Sequence, residues 1–521
     1  MSKRERISSV DTAWLRMDRP TNLMMIVGVL MFDGPLDFAR LRRTVAARLV
    51  APYSRFRQKA LVETAGAWWE DDPDFDLDAH LHRVALPGRQ DQEELQTLVA
   101  ELASTPLSPA KALWEFHLVE KYDGGAALIM RIHHCIADGI ALVGVMLSLT
   151  DDRPDAPEPE MPEARLPRAG DDNPWRQLLD PLTQTAVSAI HLGTQAWVKY
   201  FQLLAEPGQM VDYGRQGMGY AAELAKLLAL PKDSPSRFKG KPGGSKAVAW
   251  SEPLPLAEVK AVGRPLGCSV NDILLASVAG ALRGYLIEKG DAVDGIEVRG
   301  LVPVNLRTES DQGKLGNRFG LVTLLLPVYE GNPLARLYEV KRRMNELKGS
   351  FQAPLSLAIL AAVGMAPKVV QEQFLDILSA KASAVMTNVP GPQQPLYLAG
   401  ARMAQPMFWV PQSGDIGIGV SILSYANNVQ FGLITDRHFV PDPASIAGRF
   451  RKEFEKLLFA LMLEPWDEVR DPAVVEQSLE QEWAQINRDL QPSPAPARRP
   501  RKPRSAAAPR AAKSTTRAKL G

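Results

Sequence analysis

The chain has few of the residues that mark a disulfide framework, a metal centre or a nucleotide site. Only two of its 521 residues are cysteine, Cys135 and Cys268, which argues against a disulfide framework and fits a reducing compartment. No CxxC, HExxH or Cys/His cluster has metal-ligand spacing, so we expect no metal. There is also no GxxxxGK[ST] phosphate loop and no GxSxG elbow, which argues against a nucleotide hydrolase and a serine esterase.

No stretch of the sequence has the apolar length of a membrane-spanning helix. The longest apolar run, LSLAILAAVGMA over residues 355–366, falls short of the ~20 residues that cross a bilayer and is predicted to be a core helix. The first residues, MSKRERISSVDT, are charged and lack the apolar segment of a secretory signal. We therefore expect a cytoplasmic protein that is soluble or peripheral.

Charge is balanced over the whole chain but not along it. The net charge is +1, from 61 Lys or Arg and 60 Asp or Glu. Nine of the cations lie in residues 491–521, which contain no acidic residue, so the rest of the chain carries a net charge of −8. A basic segment rich in alanine and proline is predicted to be a disordered tail with a role of its own.

Composition divides the chain into five parts. Alternating strand-like and helix-like patterns predict one α/β unit over 1–150 and a second over 246–465. The part between them, 151–245, begins as an acidic, proline-rich linker and continues as a helical connector. A helical or irregular extension over 466–490 precedes the basic tail 491–521.

The helical part of the connector has an apolar face. Asn173-Pro174 has the pattern of a helix start, and large apolar residues follow at helical spacing as far as Pro231. This segment either packs across the two α/β units or lies partly on a lipid surface through its apolar face. The sequence leaves both interpretations open.

The most informative pattern is His-His-x-x-x-Asp-Gly over residues 133–139. Residues 126–134 are predicted to form a buried strand, and 140–149 a packed helix. The pattern therefore lies at a strand-to-helix corner, where folds present reactive groups. Asp138 is placed to cap the helix, and Gly139 allows close backbone approach.

Alternation along the strand places His133 and His134 on opposite faces. The face of His134 is otherwise apolar: Leu128, Met130 and Ile132. Such surroundings disfavour imidazolium and keep the ring neutral at pH 7, so His134 is predicted to be a general base. Cys135 is expected to face away from the pocket of His134. The alternative is a buried, hydrogen-bonded histidine pair beside a helix cap.

Two motifs of the second unit carry polar residues with two possible roles each. Asn271 and Asp272 open a helix predicted over 273–288, where they either cap it or help its N-terminus face a site. Asn305 and Arg307 end a strand and share a face by alternation. Both either reach a cavity or form an edge hydrogen bond and a surface charge.

Two further motifs are predicted to be turns. Leu-Gly-Asn at 315–317 is interpreted as a structural turn with a left-handed position. Thr387 and Asn388 begin Thr-Asn-Val-Pro-Gly-Pro, a predicted rigid turn after a strand, and are candidate polar groups of the pocket. Trp114 and His117, ahead of the histidine strand, are predicted to be packing residues.

These motifs, in this order, resemble those of one family. His-His-x-x-x-Asp-Gly is the hallmark of acyltransferases of the chloramphenicol acetyltransferase and condensation-domain type. The opening SSVDTAWLRMDRPTNLMMIVGVL, the Asn-Asp pair, LVPVNLR, KLGNRFG and MTNVPGP narrow the resemblance, over roughly residues 7–465, to the bacterial wax ester synthase/diacylglycerol acyltransferase family. The chain departs from its pattern at Ala112 and Ser9, where proline is usual, and at Met25, where many members have histidine. These changes are expected to alter a turn or the lining of the pocket.

The resemblance implies a fold and a reaction. The fold would comprise two chloramphenicol-acetyltransferase-like domains with mixed sheets and an active-site tunnel at their interface. The reaction would move a fatty acyl group from acyl-CoA to a long-chain alcohol or diacylglycerol, with no cofactor and no acyl-enzyme. His134 would be the base, while Asn271 and the helix start behind it would stabilise the oxyanion.

The expected partners are acyl-CoA, the acceptor lipid, and the inner membrane face or lipid inclusions. Three alternatives stay open: a condensation-type acyltransferase, a polyketide-associated acyltransferase, and a non-catalytic protein that binds lipid granules. A nucleic-acid-binding role is a variant of the last alternative, because nine cations on a flexible tail also suit a phosphate backbone.

Overall fold

The computed structural model describes most of residues 4–463. The described ranges are 4–63, 66–159, 233–307, 315–347, 352–365, 380–412 and 414–463, together with residues 350, 477 and 481. The helical connector predicted over 173–231 and the basic tail 491–521 lie outside the described residues, as does nearly all of the extension 466–490.

The described residues form nine α-helices and sixteen strands. The helices are α1 (Ser9–Met17), α2 (Phe38–Val45), α3 (Gln92–Ser104), α4 (Gly139–Leu149), α5 (Leu256–Gly263), α6 (Val270–Glu288), α7 (Pro333–Leu347), α8 (Gln352–Met365) and α9 (Pro443–Leu463). The strands are β1 (Arg4–Arg6), β2 (Met25–Phe32), β3 (Gln58–Glu63), β4 (Gly66–Asp71), β5 (Leu81–Val84), β6 (Trp114–Tyr122), β7 (Gly125–His133), β8 (Lys246–Trp250), β9 (Leu254–Pro255), β10 (Val298–Asn305), β11 (Phe319–Leu326), β12 (Ala384–Pro390), β13 (Tyr397–Leu398), β14 (Ala401–Trp409), β15 (Ile418–Tyr425) and β16 (Asn428–Asp436).

The first large sheet carries the histidine motif near its middle. Its order is β13-β14-β2-β7-β6-β5, with β5 parallel to β6 and the other pairs antiparallel. Strand β7 is buried along its whole length, as expected for a strand covered on both faces. A separate small sheet, β1-β4-β3, lies at one side.

A buried helix lies in the core behind the second large sheet. The strand order of this sheet is β11-β10-β12-β15-β16-β8, with β12 parallel to both β10 and β15. Helix α6 packs against α7 and α9 to form the core behind this sheet. It is long and apolar enough to cross a membrane, but 78% of its most apolar stretch is buried inside the protein, which is typical of a core helix.

The two sheets confirm the predicted α/β class with mixed sheets, but the boundary between the units is less simple than predicted. Strand β14, from the segment assigned to the second unit, joins the first sheet by pairing with β2. Its sequence, ARMAQPMFW, hides this strand because Gln405 and Pro406 interrupt the alternation, and the register shifts between Met403 and Gln405. The second half of the chain therefore completes the sheet that carries the histidines.

Candidate active site

The histidine motif forms the predicted strand-to-helix corner. Strand β7 ends at His133 and α4 begins at Gly139, within one residue of the predicted bounds. Asp138 is the N-cap of α4, where its Oδ1 accepts a hydrogen bond of 2.8 Å from the Ala141 N–H. This confirms the predicted cap and leaves the second carboxylate oxygen for another partner.

His134 lies on the wall of a cavity between the two large sheets. The cavity has about 830 Å³ of empty space, including the part open to solvent, and takes its lining from both halves of the chain. The lining residues are Trp14, His134, Asp138, Gly139, Leu301, Pro303, Asn305, Phe319, Leu321, Val385, Thr387, Asn388, Val389, Phe408, Val410 and Pro411. A substrate in this cavity would therefore touch both units at once.

The His134 ring is held between aromatic rings. The Trp14 indole stacks on it with ring centroids 4.2 Å apart and planes 20° from parallel, and Phe319 lies 5.6 Å away, tilted. Burial lowers the pKa of His134 to about 4, while the Asp138 carboxylate acts in the opposite direction. The ring is thus neutral at pH 7. Its Nδ1 is enclosed by protein, so Nε2 is the ring nitrogen available to a molecule in the cavity.

His133 lies on the other face of the sheet and does not line the cavity. Its Nδ1 accepts a hydrogen bond of 3.1 Å from the Cys135 N–H, and its Nε2 lies 4.0 Å from a carboxylate oxygen of Asp18. Burial lowers the pKa of His133 to about 3. Cys135 is also buried away from the cavity lining, and burial raises the pKa of its thiol. Neither group is placed to act on a substrate beside His134.

The carboxylate oxygen of Asp138 that does not cap α4 accepts hydrogen bonds from the second half of the chain. This oxygen, Oδ2, accepts hydrogen bonds from Arg307 Nη2 at 2.8 Å and from the Arg318 N–H at 2.9 Å. Neither alternative for Arg307 is seen, because β10 ends at Asn305 and the alternation stops there: Arg307 is not among the residues that line the cavity, and it is not a surface charge. Asn305 lines the cavity, whereas Arg307 forms a buried ion pair with Asp138.

The Asn271-Asp272 pair does not cap a helix in the predicted way. Helix α6 begins three residues earlier than predicted, and its N-cap is Ser269, in a capping box with Asp272. Asp272 is occupied by this box and lies outside the cavity lining. Asn271 lies in the first turn, where its Oδ1 accepts a hydrogen bond of 2.7 Å from Asn388 Nδ2.

Thr387 and Asn388 lie on the cavity wall but not in a turn. The predicted rigid turn is wrong because β12 continues through Pro390, paired with β15. The Thr387 hydroxyl donates to the Val420 carbonyl at 3.3 Å, and Asn388 is held by Asn271. Thr387 and Asn388 thus bring polar residues of the second half of the chain to the lining of the cavity that contains His134.

Two family models match the chain. The model of the wax ester synthase/diacylglycerol acyltransferase catalytic domain matches residues 7–274, and that of the WS/DGAT C-terminal domain matches 315–458. The chain belongs to the wax ester synthase/diacylglycerol acyltransferase family. It is therefore an acyltransferase.

Two curated relatives support this family assignment, and a solved structure supports the fold. The chain is 27% identical to tgs1 and 30% identical to tgs2, two probable diacylglycerol O-acyltransferases of Mycobacterium tuberculosis. The alignments cover 85% and 83% of this chain, and 93% and 94% of the relatives. The wax ester synthase/diacylglycerol acyltransferase of Marinobacter aquaeolei VT8 matches with a TM-score of 0.61 at 20% identity, over 88% of this chain and all of that one.

The same fold occurs outside the acyltransferase family. The first condensation domain of the calcium-dependent antibiotic synthetase matches with a TM-score of 0.54 at 16% identity, over 90% of this chain and 98% of that domain. At this identity the likeness concerns the fold alone. It agrees with the expected chloramphenicol-acetyltransferase-like architecture.

Sequence reasoning missed several groups around His134. Trp14 and Phe319 flank the His134 ring, and the Asn317 amide donates to the His134 carbonyl at 2.8 Å. The glycine of the Leu-Gly-Asn motif has the predicted left-handed conformation, with a φ of +112°. Its asparagine, however, contacts the motif 183 residues away. The only signal in the sequence was that both motifs belong to the family pattern.

The departures from the family pattern lie away from the cavity. Met25 pairs with His133 in the sheet, and its sulfur accepts a contact of 3.7 Å from Arg131 Nη2, so it does not alter the lining as expected.

Trp114 is fully buried, and its indole N–H donates to the Phe56 carbonyl at 2.8 Å. Its predicted packing role is confirmed.

One group of side chains in the described part of the chain has metal-ligand chemistry. His82, Glu115 and His117 bring their ligand atoms within 4.8 Å of one another on adjacent strands β5 and β6. The Glu115 carboxylate already accepts a hydrogen bond of 2.7 Å from Arg131 Nη1. The nearest cation to this carboxylate is thus a buried guanidinium. The group lies on the face of the sheet opposite His134, outside the cavity lining.

Proposed function

We propose that the protein transfers a fatty acyl group from acyl-CoA to the hydroxyl of a long-chain alcohol or a diacylglycerol, with His134 as the general base. The observation that supports this most directly is a neutral, enclosed imidazole whose Nε2 serves a cavity formed by both halves of the chain. An alcohol holds its proton too tightly to attack a thioester at pH 7, so a base of this kind supplies the missing activation.

The proposed reaction proceeds through a tetrahedral intermediate. Nε2 of His134 takes the hydroxyl proton while the alcohol oxygen forms a bond to the thioester carbon and the carbonyl electrons move to oxygen. The C–S bond then breaks, and the imidazolium returns the proton to the departing CoA thiolate. The nearby Asp138 carboxylate and the stacked face of Trp14 stabilise the transient imidazolium.

The oxyanion needs hydrogen-bond donors within reach of the thioester carbonyl. Thr387 and Asn388 line the same cavity as His134, and Asn271 orients the Asn388 amide through its hydrogen bond. We assign the donor role to Asn388, whose amide has a second N–H besides the one it gives to Asn271, because the Thr387 hydroxyl already donates to the Val420 carbonyl. Asn271, the expected donor, acts through Asn388, and neither Asp272 nor Arg307 takes part directly.

A second cavity supports a long-chain substrate. It has about 760 Å³ of empty space, including the part open to solvent, and shares Gly139 and Phe408 with the cavity of His134. Its lining is almost wholly apolar and follows α4 from Gly139 to Thr150, a distance of about 16 Å at the rise of an α-helix. An alkyl chain in this cavity would place its polar end near His134.

Transfer is proposed to be direct, without an acyl-enzyme. Cys135 is the cysteine nearest the base in sequence, but it is buried on the far side from the cavity and holds its thiol proton. Cys135→Ser is therefore expected to keep turnover within about threefold of the parent, since no general base or nucleophile is lost. A covalent acyl adduct on Cys135, detected by intact mass spectrometry after incubation with palmitoyl-CoA, would refute direct transfer.

The defining assay follows free thiol release from palmitoyl-CoA with hexadecanol or dioleoylglycerol as acceptor. His134→Ala is expected to lower turnover by at least two orders of magnitude, within the range of a general base. His133→Ala is the matched control, because it removes the neighbouring buried imidazole, which faces away from the cavity. Normal turnover in His134→Ala, or no acyl transfer to either acceptor by the parent, overturns the proposal.

We further propose that the protein works at the inner membrane face or on lipid inclusions, because both products and acceptors are insoluble in water. The basic tail 491–521 is the proposed attachment, since it brings nine cations to a body with a net charge of −8. Nucleic acid is a competing polyanion for the same charges.

A further inference from the structure

The backbone that carries His134 is held by residues far away in the sequence. The Asn317 side chain donates to the His134 carbonyl at 2.8 Å, and Arg55 Nη1 donates to the Ile136 carbonyl at 2.8 Å. Ala137 forms a β-bridge with Gly316. Between the end of β7 and the Asp138 cap, the position of the loop is therefore set largely by elements outside it.

The Asn317 amide is itself anchored by a buried carboxylate. Its Nδ2 donates to Asp11 Oδ1 at 2.7 Å as well as to the His134 carbonyl, and its backbone N–H donates to the same Asp11 oxygen at 3.1 Å. Both side-chain partners accept only, so the orientation of the amide is determined. Asp11 is 1% exposed, and its other oxygen lies 3.5 Å from Arg55.

Asp11 belongs to the same helix as the residue that stacks on the base. In α1, Trp14 is three residues after Asp11, so the two side chains lie on neighbouring parts of one helix face. Trp14 fixes the plane of the His134 ring, and Asp11 fixes, through Asn317, the carbonyl of the same residue. One helix thus contacts the ring and, through one intermediary, the backbone of His134.

We propose that Asp11 and Asn317 are positioning residues that hold His134 in its productive orientation by linking α1, the histidine loop and the second half of the chain. The inference rests on the proposed role of His134 as base. Neither residue lines the cavity, so neither touches substrate. Their effect arises because a displacement of about 1 Å in a catalytic group is enough to lower turnover about 10²-fold.

The test is a double-mutant cycle measured as kcat and KM with palmitoyl-CoA and hexadecanol. Asp11→Ala and Asn317→Ala are each expected to lower kcat by about 10²-fold, with KM within about threefold. The double variant is expected to lose no more than either single variant, because both remove one linkage. Asp11→Asn keeps an oxygen that accepts from Asn317 and is expected to recover most of the turnover.

A stability control separates positioning from folding. Tyr285→Phe removes the hydroxyl of a buried residue in the second unit that donates a hydrogen bond of 2.6 Å to Asp442, whose side chain is part-exposed. It is expected to lower the unfolding midpoint without changing kcat. If Asn317→Ala does not fold, Asn317→Ser replaces it, since one hydroxyl proton satisfies only one of the two acceptors, and at least a tenfold loss of kcat is expected.

Two results would overturn the inference. One is parent-like kcat in folded Asn317→Ala or Asn317→Ser, and the other is additive losses in the double variant. Parent-like kcat in His134→Ala, measured in the same series, would instead reject the proposed function. If His134→Ala loses its turnover while the Asn317 variants keep a parent-like kcat, the positioning role is rejected and the proposed function stands.

Discussion

Replacing Trp14 should move the acidic limb of the pH–rate profile. The Trp14 indole covers one face of the His134 ring at 4.2 Å, and burial is the main cause of the low pKa of about 4. Trp14→Leu removes the stacked ring and admits water to the imidazole. The pKa of His134 is then expected to rise toward the ordinary histidine value of about 6.5.

The size of this effect follows from the two pKa values. With a pKa of about 4, the base is almost wholly deprotonated at pH 5.5, so kcat/KM of the parent should change little between pH 8 and pH 5.5. With a pKa near 6.5, only about one tenth of the base is deprotonated at pH 5.5. Trp14→Leu should therefore lose about tenfold in kcat/KM between pH 8 and pH 5.5.

The assay is thiol release with detergent-dispersed hexadecanol at half-unit pH intervals from 4.5 to 8.5. Trp14→Phe is the matched control, because it keeps an aromatic face on the imidazole, and the indole N–H that it loses has no hydrogen-bond partner in the described part of the chain. It should retain the flat profile of the parent. A flat profile in active, folded Trp14→Leu would show that stacking and burial by Trp14 do not set the protonation of the base.

Three other predictions concern the cap, the apolar cavity and the tail. Asp138→Asn keeps a capping oxygen but breaks the buried ion pair with Arg307, so the free energy of unfolding, measured in urea, should fall by about 3 kcal/mol or more. If Asp138 acted only as a cap, this variant should lose much less stability. Val143→Phe partly fills the apolar cavity and should exclude about four methylenes of a long acyl chain, at ~0.8 kcal/mol each. The kcat/KM for palmitoyl-CoA should therefore fall about 10²-fold relative to that for butyryl-CoA. Gly144→Val lies on the exposed side of α4 and should not change this ratio. Deleting 491–521 should leave turnover in detergent unchanged and abolish flotation with anionic vesicles, as high salt should for the full chain; equal flotation of both forms would refute the role of the tail.

Local patterns predicted the strand-to-helix corner of the histidine motif well. Period-two alternation separated His134 from His133, and the Asp138 cap followed from the residue type just before an apolar helix. Both are properties of a few neighbouring residues. The same local reasoning was wrong at Arg307 and over the Thr-Asn-Val-Pro-Gly-Pro segment. In the first case the strand ended two residues earlier, and in the second it continued into the prolines.

The sequence by itself determined the mixed α/β class, the family and the neutral histidine at a strand-to-helix corner. Only the tertiary structure decided what surrounds that histidine. Trp14 and Asn317 reach it from 120 and 183 residues away, and β14 crosses from the second half to complete the first sheet. Alternation and capping depend on a few adjacent residues, whereas these contacts depend on how two sheets pack. No local period in the sequence records that packing.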